Sequence, residues 1–213
     1  MKKRYLATNL FAVSLFLTAC GNNEVAEALE STTSVETQEE QIVSDLNAIT
    51  EQEKNLQETF ETTLSEDESL STFADGTSAV FENIDTRSTS LSELKEANSA
   101  MKEEQTLLDE KTSEELPQDE LDNLTTSIET LTSTLDEYVI HYETVLTEQE
   151  NYFTELGKEE ATYDTLTEGM DTINEHDIKT KELLLQLDQQ LVEVQNAQTV
   201  TTGSLNKLAD SSK

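Results

Sequence analysis

Leu121-x2-Leu124-x3-Ile128-x2-Leu131-x3-Leu135-x2-Tyr138-x3-Tyr142-x2-Val145-x3-Gln149-x2-Tyr152-x3-Leu156 decides the fold of this chain. The spacings alternate three and four over ten intervals, and ten of the eleven positions are apolar or aromatic. That rhythm places every quoted residue on one narrow face of an α-helix, with a polar surface around the rest. A face of this kind must be covered by other helices. Pro117 stands just before the stretch, where it suits a helix's first turn. Asp119, Glu120 and Asp122 complement the positive end of the helix dipole. Gly157, followed by Lys158-Glu159-Glu160, reads as a C-cap and a break.

The same rhythm extends outward on both sides. Upstream, Val80, Ile84, Leu91, Leu94, Met101 and Leu108 share one track, with Arg87, Asn98 and Gln105 at intervening positions. This predicts a helix from about Thr77 to Glu115. Polar residues on such a seam weaken it but fix register. Further upstream, Ile42, Leu46, Ile49, Leu56 and Phe60 form a face at spacings of 4, 3, 7 and 4. Thr37-x-x-Glu40 has capping-box form at its expected start. The connection between these two helices falls at Ser65–Glu68 and Asp75-Gly76. Downstream, Tyr163, Leu166, Met170, Ile173, Leu184, Leu187, Leu191 and Val194 predict a helix from about Thr162 to Leu205, with Gly169 a candidate break. The expected fold is all-α, an elongated antiparallel up-and-down bundle of three to four long helices, each ~50–65 Å long. Threonine is a mediocre helix former, and 29 of the 31 threonines lie beyond residue 19, so the helices depend on packing their stripes.

The N-terminus carries a different signal. Lys2, Lys3 and Arg4 precede an apolar run from Leu6 to Leu17, and Leu17-Thr18-Ala19-Cys20-Gly21 follows. These are the parts of a secretory signal, and 12 apolar residues are too few to span ~30 Å of hydrocarbon. Leu-Thr-Ala-Cys fits a lipobox. Cleavage is expected between Ala19 and Cys20, with diacylglyceryl on the Cys20 sulfur, and two acyl chains suffice for stable anchoring. Cys20 is the chain's single cysteine, so neither an intramolecular disulfide nor a cysteine-based metal site is available. The expected organisation is a signal over 1–19, a lipidated flexible tether over 20–35, a bundle over 36–208 and a disordered tail over 209–213.

Residues 1–19 hold three cations and no acid; without them 10 Lys+Arg face 46 Asp+Glu, a formal charge of −36. Nucleic acid is excluded as a partner, because it requires a basic footprint. Lying flat on an anionic membrane is excluded for the same reason. No His-Glu-x-x-His helix, nucleophile elbow or phosphate-cradling loop occurs. Of the two histidines, His141 lies one turn from Glu137 beside the tyrosine seam, and His176 lies in Glu175-His176-Asp177 on an expected solvated face. Neither is assigned a catalytic or metal role. The acidic clusters lack the alternating ligands and sharp glycine turn of a calcium loop. Tyr138, Tyr142, Tyr152 and Tyr163 are expected in the core rather than on a sugar-stacking surface. The chain is therefore read as a non-enzyme without a cofactor.

Tyr152-Phe153-Thr154-Glu155-Leu156-Gly157-Lys158-Glu159-Glu160-Ala161-Thr162-Tyr163-Asp164-Thr165-Leu166, continuing to Ile173-Asn174-Glu175, resembles the YkyA-like cell-wall-binding lipoproteins of low-GC Gram-positive bacteria. Asn83-Ile84-Asp85-Thr86-Arg87 and the lipobox are similar too. The resemblance implies an elongated helical bundle on the outer face of the cell membrane, held there by lipid on Cys20. It implies peptidoglycan or another wall polymer as partner, or an envelope scaffold role alongside a surface protein. The charge alone offers an alternative: an acidic module for divalent cations, cationic peptides or a partner protein.

Overall fold

The computed structural model describes residues 20–211, with side chains from residue 23 onward. The expected signal, Ala19 and the sulfur of Cys20 lie outside the described residues. Five helices follow one another: α1 (Cys20–Glu66), α2 (Ser71–Ala74), α3 (Ala79–Asp109), α4 (Gln118–Leu156) and α5 (Tyr163–Ser211). No strand occurs among the described residues. The four long helices form a ring in which α1 lies beside α3 and α5, and α4 beside α3 and α5. Every neighbouring pair is antiparallel. Asn83 on α3 reaches Gln52 on α1, while Lys111 near the other end of α3 pairs with Glu27. Lys95–Glu143 and Asn98–Asp136 give the same sense for α3 and α4. His141–Thr180 and Thr201–Glu120 do so for α4 and α5. The up-and-down bundle is thus observed, with four long helices and one short one.

The α4 stripe that decided the fold forms the centre of the core. Leu124, Ile128, Leu131, Leu135, Tyr138 and Tyr142 have no exposed surface. The tyrosine rings stack, with centroids 5.4 Å apart. Ile140, on the opposite face of the same helix, is 67% exposed. Burial therefore follows the 3-4 spacing residue by residue. Threonine is accommodated locally: Thr50, Thr86, Thr106 and many others donate their hydroxyls to the carbonyl four residues back. Such bonding satisfies the hydroxyl without strengthening the helix, so stability still comes from the stripes.

Several boundaries differ from expectation. The stretch expected as a flexible tether, 20–35, is the opening of α1, and Val25, Ala28, Thr32 and Val35 are buried in the bundle. These positions carry the 3-4 track of Ile42 and Leu46 back toward Cys20, but with small and polar residues that hide it. The capping-box start at Thr37 is accordingly absent, and Thr37 instead donates to the Thr33 carbonyl. At the other terminus the expected tail from 209 continues α5 to Ser211, because Leu205 and Leu208 still pack against the core. α1 and α5 are consequently ~70 Å long or more, beyond the expected rods, and α3 is shorter. Gly169 does not break α5.

The end farthest from Cys20 is closed by α2, which falls in a stretch expected as plain connection. Phe73 on α2 is fully buried among Phe60, Phe81 and Phe153, with ring centroids 5.9 to 6.5 Å from its own. Asp67 fixes the turn into α2 by accepting from the Thr72 amide at 2.7 Å and the Ser69 hydroxyl at 2.7 Å. Those donors, the Thr72 amide foremost, hold its carboxyl well below the usual range. Gly157 caps α4 as expected, but with φ −79, an ordinary right-handed conformation. Its reason for being glycine is space: a Cβ there would sit 2.7 Å from Ala74 Cα and Phe73 C. Gly157→Ala must push α2 away from α4. A loss of about 1–3 kcal/mol is expected, seen as a lower thermal midpoint with unchanged helical circular dichroism at low temperature.

The α1 seam also carries carboxylates. Glu39 and Glu53 occupy the 3-4 track between apolar residues, and Asp45, 3% exposed, lies beside it. Burial, with Glu36 and Glu40 adding repulsion, raises the Glu39 carboxyl to about 7. Burial likewise raises Asp45, whose Oδ2 has no hydrogen-bond partner. A carboxyl raised in the folded state contributes stability that is fully present below its unfolded value and lost as pH climbs through its folded value. For Glu39 that window runs from about 4.5 to about 7. The thermal midpoint is therefore expected to fall between pH 4.5 and 7.5, and Glu39→Gln should flatten this slope. An equally steep slope in the variant would assign the effect elsewhere.

Candidate functional site

A polar layer crosses the bundle in its far half. The 3-4 tracks of three helices each place one polar residue there: Glu53 on α1, Arg87 on α3 and Gln149 on α4. Arg87 has no exposed surface. Its Nε donates to Asn83 Oδ1 at 2.9 Å, Nη1 to the Tyr142 hydroxyl at 3.1 Å, and Nη2 to Gln149 Oε1 at 2.6 Å. Asn83 in turn donates to the Gln52 carbonyl at 2.8 Å. Burial pushes the Glu53 carboxyl up, and the Arg87 charge and the Tyr142 hydroxyl pull it back. Tyr142 and Tyr138 are both raised by burial, so neither phenol ionises in the working range.

On the α5 side this layer is open. From Tyr163 to Lys179, α5 contributes no buried residue; Thr180 is its first. Tyr163, 77% exposed, and Met170, 49% exposed, leave the core face on which they were expected, whereas Tyr138, Tyr142 and Tyr152 keep it. This half of α5 rests on α4 along a narrow line. Gly169 lies directly on the Tyr152 ring, where a Cβ would overlap the ring carbons. The Tyr152 hydroxyl donates to the Leu166 carbonyl at 3.3 Å. His141 and His176 continue the line. His141 Nε2 lies 3.0 Å from the Thr180 hydroxyl, and His176 Nε2 lies 2.6 Å from Glu148. His141 turns to α5 rather than to Glu137, one turn before it, and Glu137 faces Lys179 at 3.8 Å. Both histidines thus fasten α5 to α4, and His176 is partly buried rather than on a solvated face.

Because only that line is filled, a groove of ≈ 290 Å³ remains between α5 and the α1–α4 pair. Leu56, Phe60, Tyr152 and Met170 give it apolar walls, and Glu53 and Asp177 lie at its polar end. Sequence reasoning missed Glu53. Its signal was the interval of seven between Ile49 and Leu56, where a 3-4 track has one position unaccounted for. Asn98 and Gln149, read as polar seam residues, are bonded within the bundle, to Asp136 and Arg87. Among the described residues no group of three or more His, Cys, Asp or Glu is placed to hold a metal ion. No described helix is long and apolar enough to cross a membrane.

No curated protein and no solved structure matches the chain. A family model described as "putative cell-wall binding lipoprotein" matches residues 23–202, from the opening of α1 to the last turns of α5. The match covers the polar layer and the groove as well as the core stripes, and the chain belongs to the YkyA family.

Proposed function

We propose that this protein is a lipid-anchored, non-enzymatic rod that grips wall material on the outer face of the cell membrane. The observation that carries this reading is geometric. Among the described residues α1 runs unbroken from Cys20, the expected lipid site, to the far end. It presents the groove at Glu53, 33 residues and ~50 Å from the anchor. The lipid provides attachment, the bundle provides reach, and the groove provides a surface for contact. Envelope scaffolding through a surface protein is the other form this role takes. Sedimentation of the mature chain with purified sacculi tests the wall reading. Co-sedimentation is expected, and its absence at every salt concentration would sink it. Cys20→Ser should release the protein from the membrane fraction into the medium.

A second reading, an acidic module for divalent cations, cationic peptides or a partner protein, is favoured by the formal charge of −36 beyond residue 19. Calorimetry with calcium discriminates it. A heat no larger than that of a polyglutamate control removes the metal version.

A further inference from the structure

The two ends of the groove differ in chemistry. Toward one end Leu56, Phe60, Tyr152 and Met170, from three helices, supply apolar surface. At the other lies the Glu53 carboxylate. Asp177, across the mouth, is engaged by Lys181 at 2.6 Å. Glu53 has no salt bridge of this kind among the described residues; the Tyr142 hydroxyl bonds it, and the Arg87 and Lys181 charges act on it without an ion-pair contact. The nearest buried cation, Arg87, directs Nε, Nη1 and Nη2 to the neutral oxygens of Asn83, Tyr142 and Gln149. Glu53 is therefore a carboxylate at the end of an apolar trough, with no ammonium or guanidinium bonded to it. Its surroundings strengthen a charge contact there relative to the many exposed carboxylates, which water screens.

Resting on the wall-binding reading, we propose that this groove takes a lysine-type side chain from the peptide part of a wall polymer. The alkyl stem lies along Leu56, Phe60, Tyr152 and Met170, and the ammonium meets Glu53. Three observations favour this occupant. The chain's acidic charge draws cations and repels anionic polymers. A long aliphatic stem with a charged tip matches a trough that is mostly apolar, with Gln57, Gln149 and Asn174 also lining it, and acidic at its end. The volume, ≈ 290 Å³, suits one side chain and its immediate neighbours better than a large ligand.

The test uses the mature chain and a fluorescent, amidated peptide with one central lysine flanked by alanines. Saturable binding is expected by anisotropy, and Nε-acetylation of the lysine should weaken it roughly tenfold or more. Glu53→Gln should weaken it similarly. Met170→Lys, at an exposed lip where folding is undisturbed, should do the same by placing a competing ammonium in the groove. Glu58→Gln, an exposed carboxylate outside the groove, should leave binding unchanged. No saturable binding, no effect of acetylation, or equal losses in Glu58→Gln and Glu53→Gln would each overturn the proposal. A second arm compares native sacculi with sacculi whose free amines are acetylated. Retention on the native sample alone supports the proposal. Retention indifferent to acetylation overturns this occupant and leaves wall binding standing. Retention on neither overturns both.

Discussion

Arg87→Ala is expected to cost about 3–5 kcal/mol of folding stability, read as a lower urea midpoint. The arginine is fully buried and is the donor that satisfies Asn83 Oδ1, the Tyr142 hydroxyl and Gln149 Oε1 together. Truncation removes those three bonds at once and leaves a cavity. It also leaves Glu53, already raised by burial, without the positive charge that favours its ionised form. Arg87→Met fills most of the volume and should cost less, because only the polar part of the penalty remains. Glu53→Leu added to Arg87→Met should recover part of the loss, since it removes the uncompensated carboxylate; the two changes should be clearly non-additive. If Arg87→Met and Arg87→Ala are equally mild, the layer is a bystander to stability.

Leu131→Ala is expected to cost about 2–5 kcal/mol, because a fully buried leucine at the centre of α4 leaves a void that the flanking helices close only in part. Ile140→Ala, nine residues on along the same helix, should change stability by about 0.5 kcal/mol or less. The two side chains differ little in chemistry and greatly in exposure, which is 0% for Leu131 and 67% for Ile140. Equilibrium urea unfolding of the two variants checks the contrast. A large loss in Ile140→Ala would mean that the outer face of α4 is covered by something other than this chain.

The fold was legible wherever a helix marks its buried track with large apolar residues. α4 does so at ten of eleven positions, and α3 and much of α5 do so well enough to set the helix count. The first turns of α1 were not legible, because Ala28 and Thr32 mark the track with side chains that also suit a loop. What buries them is the closeness of α5, seen where Gln198 reaches the Thr32 carbonyl at 3.2 Å. α2 was hidden for a related reason: one phenylalanine among acidic and hydroxyl residues gives no periodicity. Gly157 was placed correctly at a helix end, but its purpose, room for the α2 backbone, belongs to a contact between segments far apart in sequence. The candidate site was the least legible feature. Arg87 and Gln149 were visible as polar residues on a seam, while their meeting with Glu53 depends on how three helices align.

With lipid on Cys20, the continuity of α1 from that residue would govern how the protein searches its surroundings. A flexible tether over 20–35 would let a domain wander over ~20 Å around its anchor, sampling many heights and orientations. A helix continuous with Cys20, the expected lipid site, leaves no slack. With lipid on Cys20, the groove is held at one height, and the remaining freedom is tilt of the whole rod and rotation about it. Targets at that height meet a high effective concentration of groove, and targets nearer the membrane meet almost none. Selectivity for depth within the envelope would then be set by the number of residues between Cys20 and Glu53, and deleting whole heptads from the bundle would change it in steps of ~10 Å.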